Sequence, residues 1–285
     1  MNCFSSDWLF TPAQSEAIVD ALAANGKDIS FCNIDSSYGH DAFLLENETL
    51  GAFIRCFLAA TSHPECVKVG DACCPKPTRR LGRHEQAHRA RVDYQLVESL
   101  IEPDATVLDV GCGDGELLAR LRQDKRIDGR GIELEQDLVL GCVCKRLSII
   151  QYDIERGLGS YADKSFDYAI LSQTLQTTRR PDRALAELLR IAHHGFVSFP
   201  NFAHWKPRLQ LLFYGRAPVT RTLPYQWYDT PNVHSLSIRD FHIFAREQGI
   251  RIVRHFYLNK RGRVRFWPNL RAGYGVFVLE RAPLS

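Results

Sequence analysis

The sequence predicts an α/β protein: a doubly wound, largely parallel sheet with an antiparallel last strand, preceded by a short α/β segment. Three observations carry this expectation. From residue 88 onward, apolar strand patterns alternate with helical periods, as in a parallel sheet wrapped by crossover helices. The apolar run 107–110 enters the turn Gly111-Cys112-Gly113-Asp114-Gly115, which opens a helix. The last two strand patterns, 251–258 and 275–279, are too close in the chain for a helical crossover, so the final strand should run antiparallel.

The elements follow in order. Residues 1–60 hold a strand-like 3–5, a helix-like 12–23, a strand-like 28–34 and a helix-like 42–60. Residues 61–87 lose all period and collect Pro64, Pro75, Pro77, the adjacent Cys73 and Cys74, and Arg79, Arg80 and Arg83, which reads as a linker. The main domain, 88–285, begins with a helix at 90–101 and a strand at 105–110. A helix at 116–123, a strand at 129–134, a helix at 136–145 and strands at 148–152 and 166–171 come next. A helix at 181–192 leads to a strand at 195–199; after a long insertion, a helix at 238–248 precedes the final pair of strands.

Composition narrows the function classes. A hydrophobic fraction of 45% and a charged fraction of 24% suit a soluble globular protein, and a net charge of +3 is too small to argue for nucleic acid. Neither a secretory signal nor an apolar run long enough to span a membrane is visible. The nine cysteines are scattered without a C-x-x-C, so reduced thiols in a cytoplasm are expected. Cys73, Cys74, His84 and His88 are poorly spaced for a metal, and no metal site is assigned.

The glycine turn is where chemistry concentrates. A dinucleotide site shows G-x-G-x-x-G, whereas here the glycines are at 111, 113 and 115, with Asp109 two residues before them. An acid at that strand end repels a pyrophosphate but suits an ammonium group. Glu133 ends the next strand, 22 positions after Gly111, where a carboxylate can accept ribose hydroxyls. Asp153 ends the third. Asp114 and Glu116 favour the helix N-terminus electrostatically and receive no catalytic role.

This D-x-G-x-G-x-G pattern resembles the Rossmann-like class I S-adenosylmethionine-dependent methyltransferases. The resemblance implies that Asp109, Gly111, Gly113 and Gly115 hold the methionine end of S-adenosylmethionine or S-adenosylhomocysteine. It further implies that Glu133 takes both ribose hydroxyls, Leu134 packs on the adenine, and Asp153 meets the adenine amino group. Three longer stretches, 166–176 (FDYAILSQTLQ), 197–202 (VSFPNF) and 223–232 (LPYQWYDTPN), resemble the MetW family of methionine biosynthesis. Ser172 and Gln173 would then line the pocket mouth at the strand ends. The same likeness implies partnership with a MetX-type homoserine O-acyltransferase, as a product-sensing regulator. No methyl-acceptor base stands out; for His234 a helix-entry role is favoured. A true small-molecule methyltransferase stays open as an alternative.

The insertion 202–232 interleaves Trp205, Tyr214, Tyr225, Trp227 and Tyr228 with Lys206, Arg208, Arg216 and Arg221. RNA binding, a lid over the cofactor and a protein-docking face all suit that mixture. Lid or docking is favoured, because only one short stretch is basic.

Asp7 and His40, 33 residues apart, suit the last two members of a Ser-acid-His order, in which the acid orients the imidazole, although the residues alone favour a helix cap and a turn histidine. Residues 3–58 resemble the C-terminal end of MetX-type homoserine O-acetyltransferases of the α/β-hydrolase fold, which makes Asp7 the triad acid and His40 its base. No G-x-S-x-G occurs, and the nucleophile would have to precede Asp7. The segment is therefore expected to be a truncated remnant with exposed apolar faces and strand edges, the outcome of a disrupted boundary between two genes. An acyltransferase fragment completed by a separate serine-bearing piece is the second alternative.

Overall fold

The computed structural model describes residues 1–62 and 93–281. Residues 61 and 62 of the expected linker 61–87 end a helix, and the rest of it, with its cysteines and histidines and His88, lies outside the described residues. Within the rest, the backbone gathers into two compact units, 1–62 with 106–162 and 93–105 with 163–281.

The first unit is a parallel sheet. It contains β1 (Asn2–Phe4), α1 (Pro12–Ala24), β2 (Ser30–Ile34), α2 (Ala42–Leu45) and α3 (Asn47–Ser62). It continues with β3 (Thr106–Val110), α5 (Glu116–Lys125), β4 (Asp128–Glu133), α6 (Gln136–Cys144) and β5 (Ser148–Gln151), with α4 (Tyr94–Leu100) belonging to the second unit. The strand order is β1-β2-β5-β4-β3, every pair parallel. Val107, Leu108, Val110, Ile132 and Ile149 are buried, the continuous apolar run of a strand covered on both faces. Thr11 starts α1 through a capping box: its hydroxyl accepts from the Gln14 amide, and the Gln14 side chain accepts from the Thr11 amide.

Two expectations change here. The helix-like 42–60 is two helices, because Glu46 leaves the helical region at ψ 40° and the Asn47 side chain donates to Leu44 O. The inner edge of the first segment is also covered. β2 pairs with β5 through Ser30↔Ile149 and Phe31↔Ile150, and the Asn33 amide donates to Gln151 Oε1 at 2.9 Å. Arg156 forks onto Glu16 with two 3.0 Å bonds, and Ser160 donates to Asp20 at 2.6 Å. The expected apolar exposure persists on the loops, where Trp8 is 75% and Phe10 63% exposed.

The second unit is a mixed sheet. After α4 it holds β6 (Phe166–Ser172), α7 (Pro181–Ile191), β7 (Ala192–Pro200), α8 (Trp205–Tyr214) and α9 (Ile238–Glu247). β8 (Ile250–Asn259), β9 (Gly262–Arg263), α10 (Pro268–Arg271) and β10 (Tyr274–Arg281) complete it. β6 and β7 are parallel, and β10 runs antiparallel between β7 and β8, as the short connection required. Phe199, Phe241 and Phe277 pack around one another with ring centroids 4.5–5.5 Å apart and anchor the core.

The helix α8 was not anticipated. Its leucines and aromatics point to all sides instead of forming one stripe, and Leu212, Phe213 and Tyr214 are more than 70% exposed. His204 caps its start, accepting from the Lys206 amide at 3.3 Å, and Gly215 ends it in the left-handed conformation. Among the described cysteines, Cys3, Cys32, Cys56, Cys112 and Cys142 are free thiols. No helix among the described residues is long and apolar enough to cross a membrane.

Candidate functional site

The glycine turn sits where β3 ends. Gly111, Gly113 and Gly115 adopt φ of 72°, 61° and 73°, a left-handed region costly to side-chain-bearing residues. The Gly111 and Cys112 amides both donate to Ile132 O, at 2.8 and 3.2 Å, which ties the turn to β4. Gly115 caps α5, and a Cβ there would lie 2.3 Å from Leu147 Cδ1, so this glycine serves close packing beneath the turn. From α6, Lys145 donates to Asp114 O at 2.7 Å and to its carboxylate at 2.9 Å.

Glu133 closes β4 beside this turn. Its Oε2 accepts from the Gly113 amide at 2.7 Å, and its Oε1 accepts from the amides of Leu134 and Glu135 at 2.8 and 3.1 Å. It is 8% exposed. Burial pushes its carboxyl above the ordinary value, and the three amides pull it partly back. A carboxylate offers about four acceptor sites, so three bound amides leave room for one further donor. Receiving both hydroxyls of a ribose requires release of one amide, and the Glu135 bond is the longest. Asp109 is buried within β3 opposite Gly131, and Leu134 is 56% exposed, an apolar surface beside the carboxylate. Asp153 follows β5 and accepts from the Glu155 amide at 2.9 Å, capping a single 3₁₀ turn. A buried acid, left-handed glycines and a buried carboxylate with spare acceptor capacity fit a cationic, hydroxyl-rich cofactor.

Ser172 and Gln173 belong to the other unit, at the end of β6. Ser172 is 3% exposed, and its hydroxyl donates to Asp93 Oδ2 at 2.8 Å. Ser198 donates to the same oxygen at 2.5 Å. Gln173 takes a φ of 55°, and its amide donates to Ser198 O. Asp93, 1% exposed, is thus the centre of a buried polar cluster. Sequence reasoning passed over it, since an acid in the first turn of the helix expected at 90–101 reads as ordinary support of a helix N-terminus.

The other predicted pair is in contact. His40 Nδ1 lies 3.2 Å from both carboxylate oxygens of Asp7, whose Oδ1 also accepts the amides of Leu9 and Phe10 at 2.9 Å. The Phe10 and Phe43 rings flank the imidazole at 5.5 and 5.8 Å. The Phe10 amide, then the Leu9 amide and His40, hold the Asp7 carboxyl below its ordinary value against the effect of burial. A folded value below the unfolded one stabilises the fold above the usual 3.8, and that stabilisation fades as pH falls through the folded value. Asp7→Asn is therefore expected to remove part of the acid-unfolding response of this segment. Circular dichroism of both proteins from about pH 5 to about pH 2 checks this, and superimposable curves would count against it.

Comparison with known proteins defines the class first. Solved S-adenosylmethionine-dependent methyltransferases from Archaeoglobus fulgidus and Thermotoga maritima superpose with TM-scores of 0.51 and 0.52 at 16% and 17% identity. They cover 70% and 71% of this chain, and 100% and 96% of their own. The fold is that of the Rossmann-like class I methyltransferases. The family model "Methionine biosynthesis protein MetW" matches residues 91–279, and the chain belongs to that family. A bifunctional methionine biosynthesis protein MetXA/MetW of Rhodopirellula baltica is 35% identical over 249 residues, 83% of this chain and 37% of that protein. A homoserine O-acetyltransferase of Geotalea uraniireducens is 54% identical over 55 residues, 19% of this chain and 15% of that enzyme. The acyltransferase likeness thus stands beside the MetW one, and the chain spans little more than a third of the curated relative it matches over most of its length.

Proposed function

We propose that this MetW-family protein binds S-adenosylmethionine or S-adenosylhomocysteine and acts with, and regulates, a homoserine O-acyltransferase. The observation that carries the reading is Glu133: a buried carboxylate at the end of β4, bonded at 2.7 Å to the second glycine of the turn, with one acceptor site to spare. Asp109 and the backbone of Gly111 and Gly113 would face the methionine end, with Gly115 supporting the turn from below. Leu134 would cover the adenine, and Asp153 would receive its amino group. S-adenosylmethionine, when bound, supplies an activated methyl group, and it carries a methionine moiety, the product of the family's pathway. Binding it reports that product, which is what a regulator of an early acylation needs. A relative that joins MetXA and MetW in one polypeptide supports the partnership.

Calorimetric titration of the folded protein with either nucleoside is expected to give one site of dissociation constant on the order of micromolar. No heat from either would sink the reading. Isotopic methyl transfer from S-adenosylmethionine into a cell extract would instead favour a true methyltransferase.

The Asp7–His40 contact favours a second reading, a fragment that contributes acid and base to a serine borne elsewhere. Adding this chain to an acyltransferase body lacking its own C-terminal segment would then restore homoserine acylation, and Asp7→Asn would abolish the gain.

A further inference from the structure

Between Glu247 and Glu280 the chain contains seven Lys and Arg residues and no acid. Arg251 is paired with Glu280. The other six, Arg254, Lys260, Arg261, Arg263, Arg265 and Arg271, are all exposed, and none has an ion-pair partner among the described residues. The β8–β9 hairpin brings most of them together: Leu258 pairs with Arg263, and the Arg263 guanidinium lies 4.6 Å from the Phe256 ring. β9 is the last strand of its sheet, two residues long, so its outer edge is open.

Two aromatics stand on the same loop. Phe266 and Trp267 are each 75% exposed. Trp267 also holds φ 50° and ψ 54°, a left-handed conformation that a bulky residue adopts only at a cost, and it caps α10 from there. Asn201, fully buried, fastens this loop by donating to Asn269 O at 3.0 Å and Ala272 O at 2.8 Å. The aromatic pair is thus presented to solvent from a fixed base. Unpaired arginines beside exposed Trp and Phe on an anchored loop have the composition of interface anchors.

The charge of the partner follows. The acyltransferase-like residues 1–62 contain eight Asp and Glu against two Lys and Arg, and Asp35, Asp41 and Glu48 are exposed. An acyltransferase surface of that kind is complementary to the basic hairpin in charge. Single-stranded nucleic acid fits less well, because it needs a series of stacking platforms along a groove, and here two adjacent aromatics share one loop.

We infer that the β8–β9 edge with Phe266 and Trp267 is the face that docks an acidic surface of the homoserine O-acyltransferase. This inference rests on the partnership proposed above and locates its surface. The test uses the full chain and an intact homoserine O-acetyltransferase, that of Geotalea uraniireducens, with binding measured by calorimetry at low and high salt. The wild-type complex is expected to weaken steeply with salt. Arg263→Glu combined with Arg265→Glu should lower affinity at least about tenfold, and Trp267→Ala should do so with a smaller salt dependence. Unchanged nucleoside binding and melting would show that these exposed variants fold. A complex of unaltered affinity in all variants overturns this face while leaving the partnership intact, whereas no complex with the wild type defeats the partnership itself. Self-association lost in the same variants would assign the face to a second copy, and tight variant-sensitive binding of a single-stranded oligonucleotide would assign it to nucleic acid; either overturns the inference.

Discussion

Replacing Glu133 with alanine is expected to weaken S-adenosylmethionine binding by about 3 kcal/mol, roughly 150-fold. The carboxylate does two things that alanine cannot. It offers a charged acceptor to a ribose hydroxyl, a bond worth about 1.5–3 kcal/mol. It also collects the amides of Gly113, Leu134 and Glu135, which fixes the glycine turn against the end of β4. Alanine leaves those amides without their acceptor, so the unliganded protein should melt earlier as well. Calorimetry well below the variant's melting point separates the two effects. Glutamine, which keeps one acceptor oxygen but turns a donor toward an amide, is expected to fall between. Protonation supplies an independent check. Burial raises the Glu133 carboxyl above its ordinary 4.5, so affinity should decline on acidification at a higher pH than for an exposed glutamate, and Glu133→Gln should remove that dependence. Equal affinity in wild type and alanine variant would remove Glu133 from the site.

Much of this arrangement was legible because its signals are local. Parallel strands buried on both faces read as continuous apolar runs, and the expected strand at 148–152 is observed as Ser148–Gln151. The glycine turn and the acid closing β4 are fixed by the length of one strand–helix–strand unit. The Asp7–His40 pair was legible through family likeness alone, since the loop residues by themselves favour a helix cap and a turn histidine. What escaped depends on distance or on surface. Nothing in residues 30–34 says that β5 will be their neighbour, since strand pairing across more than a hundred residues leaves no periodic trace. Helix α8 hid because its apolar residues face solvent on all sides. Asp93 hid because its partners, Ser172 and Ser198, are 79 and 105 residues away.

Gly115→Ala is expected to destabilise the protein by about 2–5 kcal/mol, the sum of about 1–2 for left-handed strain and a further 1–3 for overpacking. The position is constrained twice. Its φ of 73° disfavours any side chain, and the added methyl would lie 2.3 Å from Leu147 Cδ1 and 2.9 Å from Cys142 Sγ. Leu147 is 2% exposed and Cys142 fully buried, so neither can swing away without disturbing the packing of α6. Gly249 provides the control, with φ 64° and nothing within 4 Å of an added Cβ. Gly249→Ala should therefore show the strain alone, about 1–2 kcal/mol, and the difference between the two variants in urea unfolding measures the packing contribution. If Gly115→Ala costs no more than Gly249→Ala, the close approach of Leu147 is not what holds the turn on its helix. The larger loss would show that the third glycine is set by packing, while the first two remain available to face the cofactor.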